Sequence, residues 1–317
     1  MNHVSPCARA SYANGVDVLI WQDGAPLPNP VAGYMAGVLD HTLLIIGGSY
    51  WTEDSKHWSN LVQMFDTRTN AWQLGNPMPE ARSDAAACSS EGRIYVFGGG
   101  AGGAVWDTAL ILDRGCWSRL PAADLPEPRL YANCVSVGKQ IYLLGGMSRP
   151  DDYRTAANTF WRWHLDSKGW ETLAPLPGPG RITFAMTSLG NCIYVFGGAT
   201  SAPGGVECLK DVYRFDLGSE RWTRMSDLPV ANRAGWAVDV AGQALLVGGY
   251  TDDFSRTVFL YDESGTVRPA PLLPYGIADA KFFKIGDTII GTGGEIGHHV
   301  RGARTLRADF SRLAFQQ

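Results

Sequence analysis

Apolar positions along the chain gather into short runs bounded by glycine, and the same run recurs. A β-like stretch ending in Gly-Gly occurs six times, as LLIIGG to Gly48, IYVFGG to Gly99, IYLLGG to Gly146, IYVFGG to Gly198, ALLVGG to Gly249 and TIIGTGG to Gly294. Runs of this length between turn residues read as strands. Their spacing of about 50 residues marks a repeat architecture. Tryptophan keeps register with it: Trp72, Trp170 and Trp222 follow their glycine pairs at one fixed distance, and Trp117 follows in a shorter unit. Between Gly-Gly and Trp, each unit has a strand ending at an Asp suited to a turn, at Asp66, Asp113, Asp166, Asp216 and Asp262.

A hydrophobic strand ending in Gly-Gly, a variable loop, an aromatic strand and a Trp at this period form the kelch signature. The chain therefore resembles the kelch β-propellers along essentially its whole length. The resemblance implies an all-β, six-bladed kelch propeller, with residues 1–317 as one domain. A four-stranded twisted blade cannot bury both faces alone, and radial packing against two neighbours buries them. Glycine pairs allow close backbone approach and Trp fills the gap between blades, so both are read as structural. The sixth unit runs out near Gln317, before its Trp strand. That strand is expected at the other end, where Trp21-Gln-Asp-Gly-Ala-Pro-Leu-Pro28 mirrors Trp72-Gln-Leu-Gly-Asn-Pro-Met-Pro79. The N-terminus is thus expected to complete the last blade and close the ring.

Composition agrees with a turn-rich β protein: 38 Gly, 18 Pro and 11 Trp stand beside only 18% charged residues in 317. The net charge of −4 gives no pointer to nucleic acid or an anionic membrane surface. No apolar run approaches the roughly 20 residues of a membrane helix. Met1 to Gly15 is polar, and the apolar run from Val16 to Trp21 is too short for a signal-peptide core. The six cysteines show no CxxC spacing. They are read as free, mostly buried thiols of a cytoplasmic protein.

Candidate chemistry lies on the rim where the loops leading into each inner strand meet the loops following Gly-Gly. Sixteen residues before the first Gly of each pair stand Val31, Arg82, Arg129, Arg181, Asn232 (with Arg233 beside it) and Ile277. Asp84 and Asp279 come two residues later in their own units. Such arginines either bridge to acids of adjacent blades or form a basic mouth for an anionic ligand, since guanidinium matches carboxylate bidentately. The first rim loop, Ser49 to Trp58, is aromatic; Trp51 and its neighbours could wall a sugar or cover a blade edge. The sixth loop places Glu295 directly after the glycine pair and Arg301 six residues later. This is either a functional pair or a solvated one.

On these residues the chain is similar to the bacterial N-acetylneuraminate (sialic acid) mutarotases, six-bladed kelch enzymes with a Gly-Glu followed by Arg six residues after the Glu, often GExKPGxRT. Val31-Ala-Gly-Tyr-Met-Ala-Gly37 matches the VAGxxAG-like strand of the next unit, in the order of a cyclically permuted branch. Ile296-Gly-His-His-Val300 replaces the Lys-Pro-Gly segment. The resemblance implies anomer interconversion by acid–base ring opening, with Glu295 as base and acid and Arg301 gripping the substrate carboxylate or stabilising developing charge. Arg82, Arg129, Arg181, Arg233 and Trp51 are the candidate substrate contacts. No metal, nucleotide or other cofactor is expected, and the expected partner is a small anionic sugar. Two other classes remain: a protein-interaction module on the same fold, and a copper radical oxidase of the galactose oxidase type. For the latter His298 and His299 are the only His pair, but adjacent side chains are expected to point apart, and no Tyr ligand motif accompanies them.

Overall fold

The computed structural model describes residues 19–310. Each predicted Gly-Gly run is the second strand of a four-stranded antiparallel sheet, and six such sheets succeed one another. The first blade is built from Met35–Leu39, Thr42–Ile46, Val62–Asp66 and Ala71–Leu74. Blades two to six open with Ala86–Ser90, Asn133–Val137, Ala185–Leu189, Trp236–Val240 and Lys281–Ile285. The only helical elements among the described residues are two 3-10 turns, Pro121–Ala123 and Tyr153–Thr155. Among the described residues no helix is long and apolar enough to cross a membrane. This all-β, six-bladed propeller is the architecture expected from the repeats.

The closing strand is also where the sequence puts it. Gln22–Gly24 pairs antiparallel with Thr305–Asp309 and forms the outer edge of the sixth blade. Leu19 is buried in the core cluster between blades five and six, and Trp21 packs edge-on against Phe282 at 5.7 Å. The polar segment Met1–Gly15, with Cys7, lies outside the described residues. Cys88, Cys116, Cys134, Cys192 and Cys208 are free, with Cys116 exposed.

Blade faces carry alternating aliphatic and aromatic residues that interdigitate with the next blade. Tyr142, Leu144 and Phe160 of blade three, for example, meet Phe184, Met186 and Phe215 of blade four. The outer-strand tryptophans do more than fill space. The indole N–H of Trp72, Trp117, Trp170 and Trp222 donates to the carbonyl of Ala25, Asn76, Ala123 and Ala174 in the preceding blade, at 2.8–3.0 Å. Trp21 does the same to Pro271 at 3.2 Å. Blade five has no Trp there, and the Tyr261 hydroxyl donates to Ser226 O instead. A half-buried indole that satisfies its one donor across an interface joins apolar contact to a fixed blade spacing.

Two sets of backbone hydrogen bonds run around the ring. The N–H of the second glycine of each pair (Gly48, Gly99, Gly146, Gly198, Gly249, Gly294) donates to the next blade at Arg82, Arg129, Arg181, Asn232, Ile277 and Val31, over 2.7–3.0 Å. All six glycines have positive φ, which glycine reaches without strain. Closer to the axis, Asp84, Tyr131, Thr183, Ala234 and Asp279 each donate a backbone N–H to the corresponding carbonyl of the preceding blade, from Gly33 to Ala234. The sixth link is different: Gly33 N–H donates to the Asp279 carboxylate. These six residues all have positive φ and form a collar around the axis. A Cβ on Gly33 would stand 2.3 Å from Asp84 Oδ1, so any larger residue there would displace that carboxylate.

Candidate functional site

The collar fixes which side chains can reach the axis. The residue leading into each inner strand stands two positions before the collar, and its side chain turns back into its own blade. Arg82 donates to the carbonyls of Gly98 and Thr108 and pairs with Glu80. Arg129 pairs with Glu127 and reaches Thr159 Oγ1. Arg181 donates to Gly197 O and makes a bidentate pair with Asp211 at 2.9 Å on both oxygens. All three are at least 98% buried. Arg82, Arg129 and Arg181 therefore do not form the basic mouth expected of them. Arg82 and Arg181 tie a Gly-Gly carbonyl to the third strand, and Arg129 reaches the start of its third strand at Thr159, all within their own blades rather than between blades. Arg181→Met should lower stability by about 3–5 kcal/mol, since it leaves Asp211 as an uncompensated carboxylate in a largely buried site. Chemical denaturation checks this, and an unchanged midpoint with weakened ligand binding would return Arg181 to the site.

Arg233 escapes that fate because it stands one residue later than the other three. Its backbone pairs with Tyr250, its guanidinium lies 4.9 Å from the Tyr250 ring centroid, and it lines the axial cavity. Its Nε is buried without a hydrogen-bond partner, and it forms no ion pair among the described residues. The residue following each glycine pair bridges to the segment leading into its own inner strand in all six blades, from Ala32 with Ser49 to Ala278 with Glu295. This brings the two loop sets together at the cavity mouth, as the repeat register implied.

The sixth loop is a tight hairpin, Glu295–Gly297 against Val300–Arg301, in which Glu295 and Arg301 are direct partners. That pairing is the physical content of their spacing. Arg301 Nη1 donates to Glu295 Oε1 at 2.5 Å and its Nε to Ser49 O at 3.1 Å. The arginine is thus held by blades six and one together, and one oxygen of Glu295 is committed to it. His299 turns the hairpin with φ of 59°, which stacks its ring on His298 at 3.9 Å. The two histidines therefore do not point apart, contrary to the expectation for neighbours. Trp51 stacks on His299 at 3.5 Å and lines a neighbouring aromatic cavity of about 460 Å³ with Tyr50, Trp58 and the outer side of Arg301. It does not line the axial cavity.

The axial cavity, of about 360 Å³, is bounded by Glu295, Arg301, Arg233, Lys56, Asp84, Asp279 and the aromatic rings of Tyr131, Tyr153, Tyr250 and Phe254. Three acids face three bases, so the mouth carries both signs rather than being simply basic. Asp279 is engaged on both oxygens, by Gly33 N–H and by the Lys281 ammonium at 3.8 Å. Burial and the nearby Asp279 hold the Glu295 carboxyl above the usual carboxylate range, while Arg301 pulls it back. Burial raises Asp84 to about 6 against the opposing pull of Lys56. The Asp84 charge, with burial, pushes the Tyr131 phenol well above its ordinary value. Sequence reasoning flagged Asp84 and Asp279 but missed Tyr131, Thr183 and Lys56. For Tyr131 and Thr183 the signal was available, because every collar residue stands two places after the flagged arginine register, whereas Lys56 comes from the loop after the first glycine pair.

No group of three or more metal-ligating side chains occurs among the described residues. The comparisons with known proteins concern the fold. The KLHDC2/KLHL20/DRC7 Kelch-repeats domain matches residues 20–198 and 108–266. Kelch-like protein terF of Aspergillus terreus is 26% identical over 72% of this chain and 52% of its own length. Human Kelch-like protein 34 is 27% identical over 75% of this chain and 38% of its own length. The chain thus spans about half or less of the curated relatives it matches. Among solved structures, that of YjhT superposes with a TM-score of 0.76 over 88% of this chain and 95% of that one, at 14% identity, which is a likeness of fold. Matched by the family description across residues 20 to 266, with six blades each carrying a glycine pair in or just after its second strand, this chain belongs to the Kelch-repeat family.

Proposed function

We propose that the axial cavity is the active site of a sialic acid (N-acetylneuraminate) mutarotase, an isomerase that interconverts the α and β anomers by acid–base opening and closing of the sugar ring. The Glu295–Arg301 pair on the cavity wall carries this reading. Mutarotation needs a proton taken from the anomeric hydroxyl and one given to the ring oxygen, and general acid–base assistance is worth about 10²–10⁴-fold. Glu295 is the base, with its Oε2 free of the arginine. Arg301 holds Glu295 in place, since its own pKa above about 12 excludes it as a base. Arg233 takes the substrate carboxylate, because its guanidinium faces the cavity with no protein carboxylate on it. Tyr250 and Phe254 wall the apolar side of the ring, and Trp51 supports the hairpin through His299. No cofactor takes part. Free thiols suit a reducing compartment, so the reading places the protein in the cytoplasm.

Proton NMR of freshly dissolved N-acetylneuraminate tests this. Catalytic amounts of protein should accelerate anomer exchange, and a neutral sugar such as galactose should be a poor substrate. Exchange at the spontaneous rate would overturn the assignment. Binding of an acidic peptide without any exchange would instead assign the cavity to protein recognition.

A further inference from the structure

Ring opening moves two protons at one carbon, and the geometry leaves Glu295 only one oxygen for the task. Arg301 occupies its Oε1, so a lone Glu295 would have to deliver and collect both protons through Oε2. A second group in the same cavity removes that constraint. Asp279 is unsuited, because both of its oxygens are engaged by Gly33 N–H and Lys281.

We propose that Asp84 is the acid of the axial cavity, giving its proton to the ring oxygen while Glu295 takes the proton of the anomeric hydroxyl. This rests on the mutarotase reading. Asp84 stands on the collar with φ of 59°, exposed to the cavity and otherwise enclosed by protein. It makes no ion pair among the described residues, and its only polar side-chain neighbour within hydrogen-bond distance is Ser83 Oγ, 2.7 Å from Oδ2. Ser83 donates to Oδ2, whereas Oδ1 has no hydrogen-bond partner among the described residues and is the oxygen left to carry and deliver the proton. The buried setting, with the Asp279 charge nearby, favours the same neutral form. Lys56, the Ser83 hydrogen bond and Lys281 oppose it, and Tyr131 faces Asp84, Asp279 and Glu295 together.

The step balances. The bond between the anomeric carbon and the ring oxygen breaks, its electron pair goes to the ring oxygen, and that oxygen takes the Asp84 proton. The anomeric hydroxyl loses its proton to Glu295 Oε2 and becomes the carbonyl. After rotation, closure on the other face returns the hydroxyl proton to Asp84 and the Glu295 proton to the carbonyl oxygen. Neither residue is changed at the end.

The test is Asp84→Asn, chosen because Asn tolerates the left-handed backbone and keeps the side-chain volume. With wild-type protein that accelerates exchange, the variant should lose about 10²–10⁴-fold in rate while its affinity for N-acetylneuraminate stays within a few-fold. The wild-type rate should fall with rising pH above about 6, and the variant should lose that limb. Folding gives a readout of its own. A raised carboxyl favours the fold at low pH and loses that contribution as pH rises through about 6, so Asp84→Asn should gain stability over wild type between pH 4 and 7. A variant with wild-type rate and pH profile would overturn the role of Asp84 and leave the mutarotase reading standing. A wild-type rate flat from pH 5 to 8 would also overturn it, without recourse to any variant. Wild-type protein without exchange activity would remove both proposals together.

Discussion

Glu295→Gln should slow N-acetylneuraminate anomer exchange by about 10²–10⁴-fold, towards the spontaneous rate. Gln keeps the shape and can still accept a hydrogen bond from Arg301, so the hairpin register between Glu295 and Arg301 should survive. What is lost is the capacity to hold a proton. Binding should change little, because the substrate carboxylate is assigned to Arg233, on the loop that pairs with Tyr250. The pH profile adds a check. The Glu295 carboxyl is held above the ordinary range by burial and Asp279, so the rising limb of the rate should lie above typical carboxylate values. That limb should be absent in the variant. Exchange NMR with a binding titration on the same sample separates the outcomes. Full activity in Glu295→Gln would place the base elsewhere in the cavity.

Removal of residues 1–24 should cost on the order of 5 kcal/mol, a large share of the roughly 5–15 kcal/mol that holds a domain folded. The deletion strips the outer strand Gln22–Gly24 from its pairing with Thr305, Leu306 and Arg307. It also removes Leu19 from the core between blades five and six and the Trp21 indole from Pro271 and Phe282. Each large apolar side chain withdrawn from burial is worth about 1.5–3 kcal/mol. The Asp23–Arg304 pair goes too, although it is exposed and adds little. A ring whose last blade lacks its edge should unfold at lower denaturant concentration or lose cooperativity. Unchanged cooperative unfolding would show that Gln22–Gly24 is not what closes the propeller.

Much of the fold was legible because a propeller repeats its own local rules. Gly-Gly follows the end of the second strand in five blades and marks a register shift in the fourth, whose second strand runs on to Ala202. The Asp at the end of the third strand caps a turn, as Asp66, Asp216 and Asp262 do with backbone N–H groups two to four residues on. The Trp register located the outer strand in four blades and, at Trp21, the strand that crosses the seam. Blade five hid its equivalent, because Tyr261 makes that interface bond from the third strand rather than the fourth. Glu295 and Arg301 were legible as a pair, since a tight hairpin converts their spacing into direct partnership.

Three of the four rim arginines, Arg82, Arg129 and Arg181, do not reach the mouth, and the cause lies in three consecutive backbone positions. One pairs its N–H and C=O around the ring, the next bridges to the loop after Gly-Gly, and the third, in the left-handed region, faces the axis. Arg82, Arg129 and Arg181 occupy the first position and Arg233 the second, whereas Asp84, Tyr131 and Asp279 occupy the third. The sequence alone determined how many blades there are, where the glycine pairs and Asp turns fall in them and which strand closes the ring. These follow from strand length, turn chemistry and the period of the apolar runs, all local along the chain. Only the tertiary structure decided what lines the cavity. That depends on backbone rotation at the collar and on neighbours from other blades, such as Asp279 against Gly33 and Arg301 against Ser49. Residues so far apart in the chain meet because the ring closes, and no local pattern records which way their side chains turn when it does.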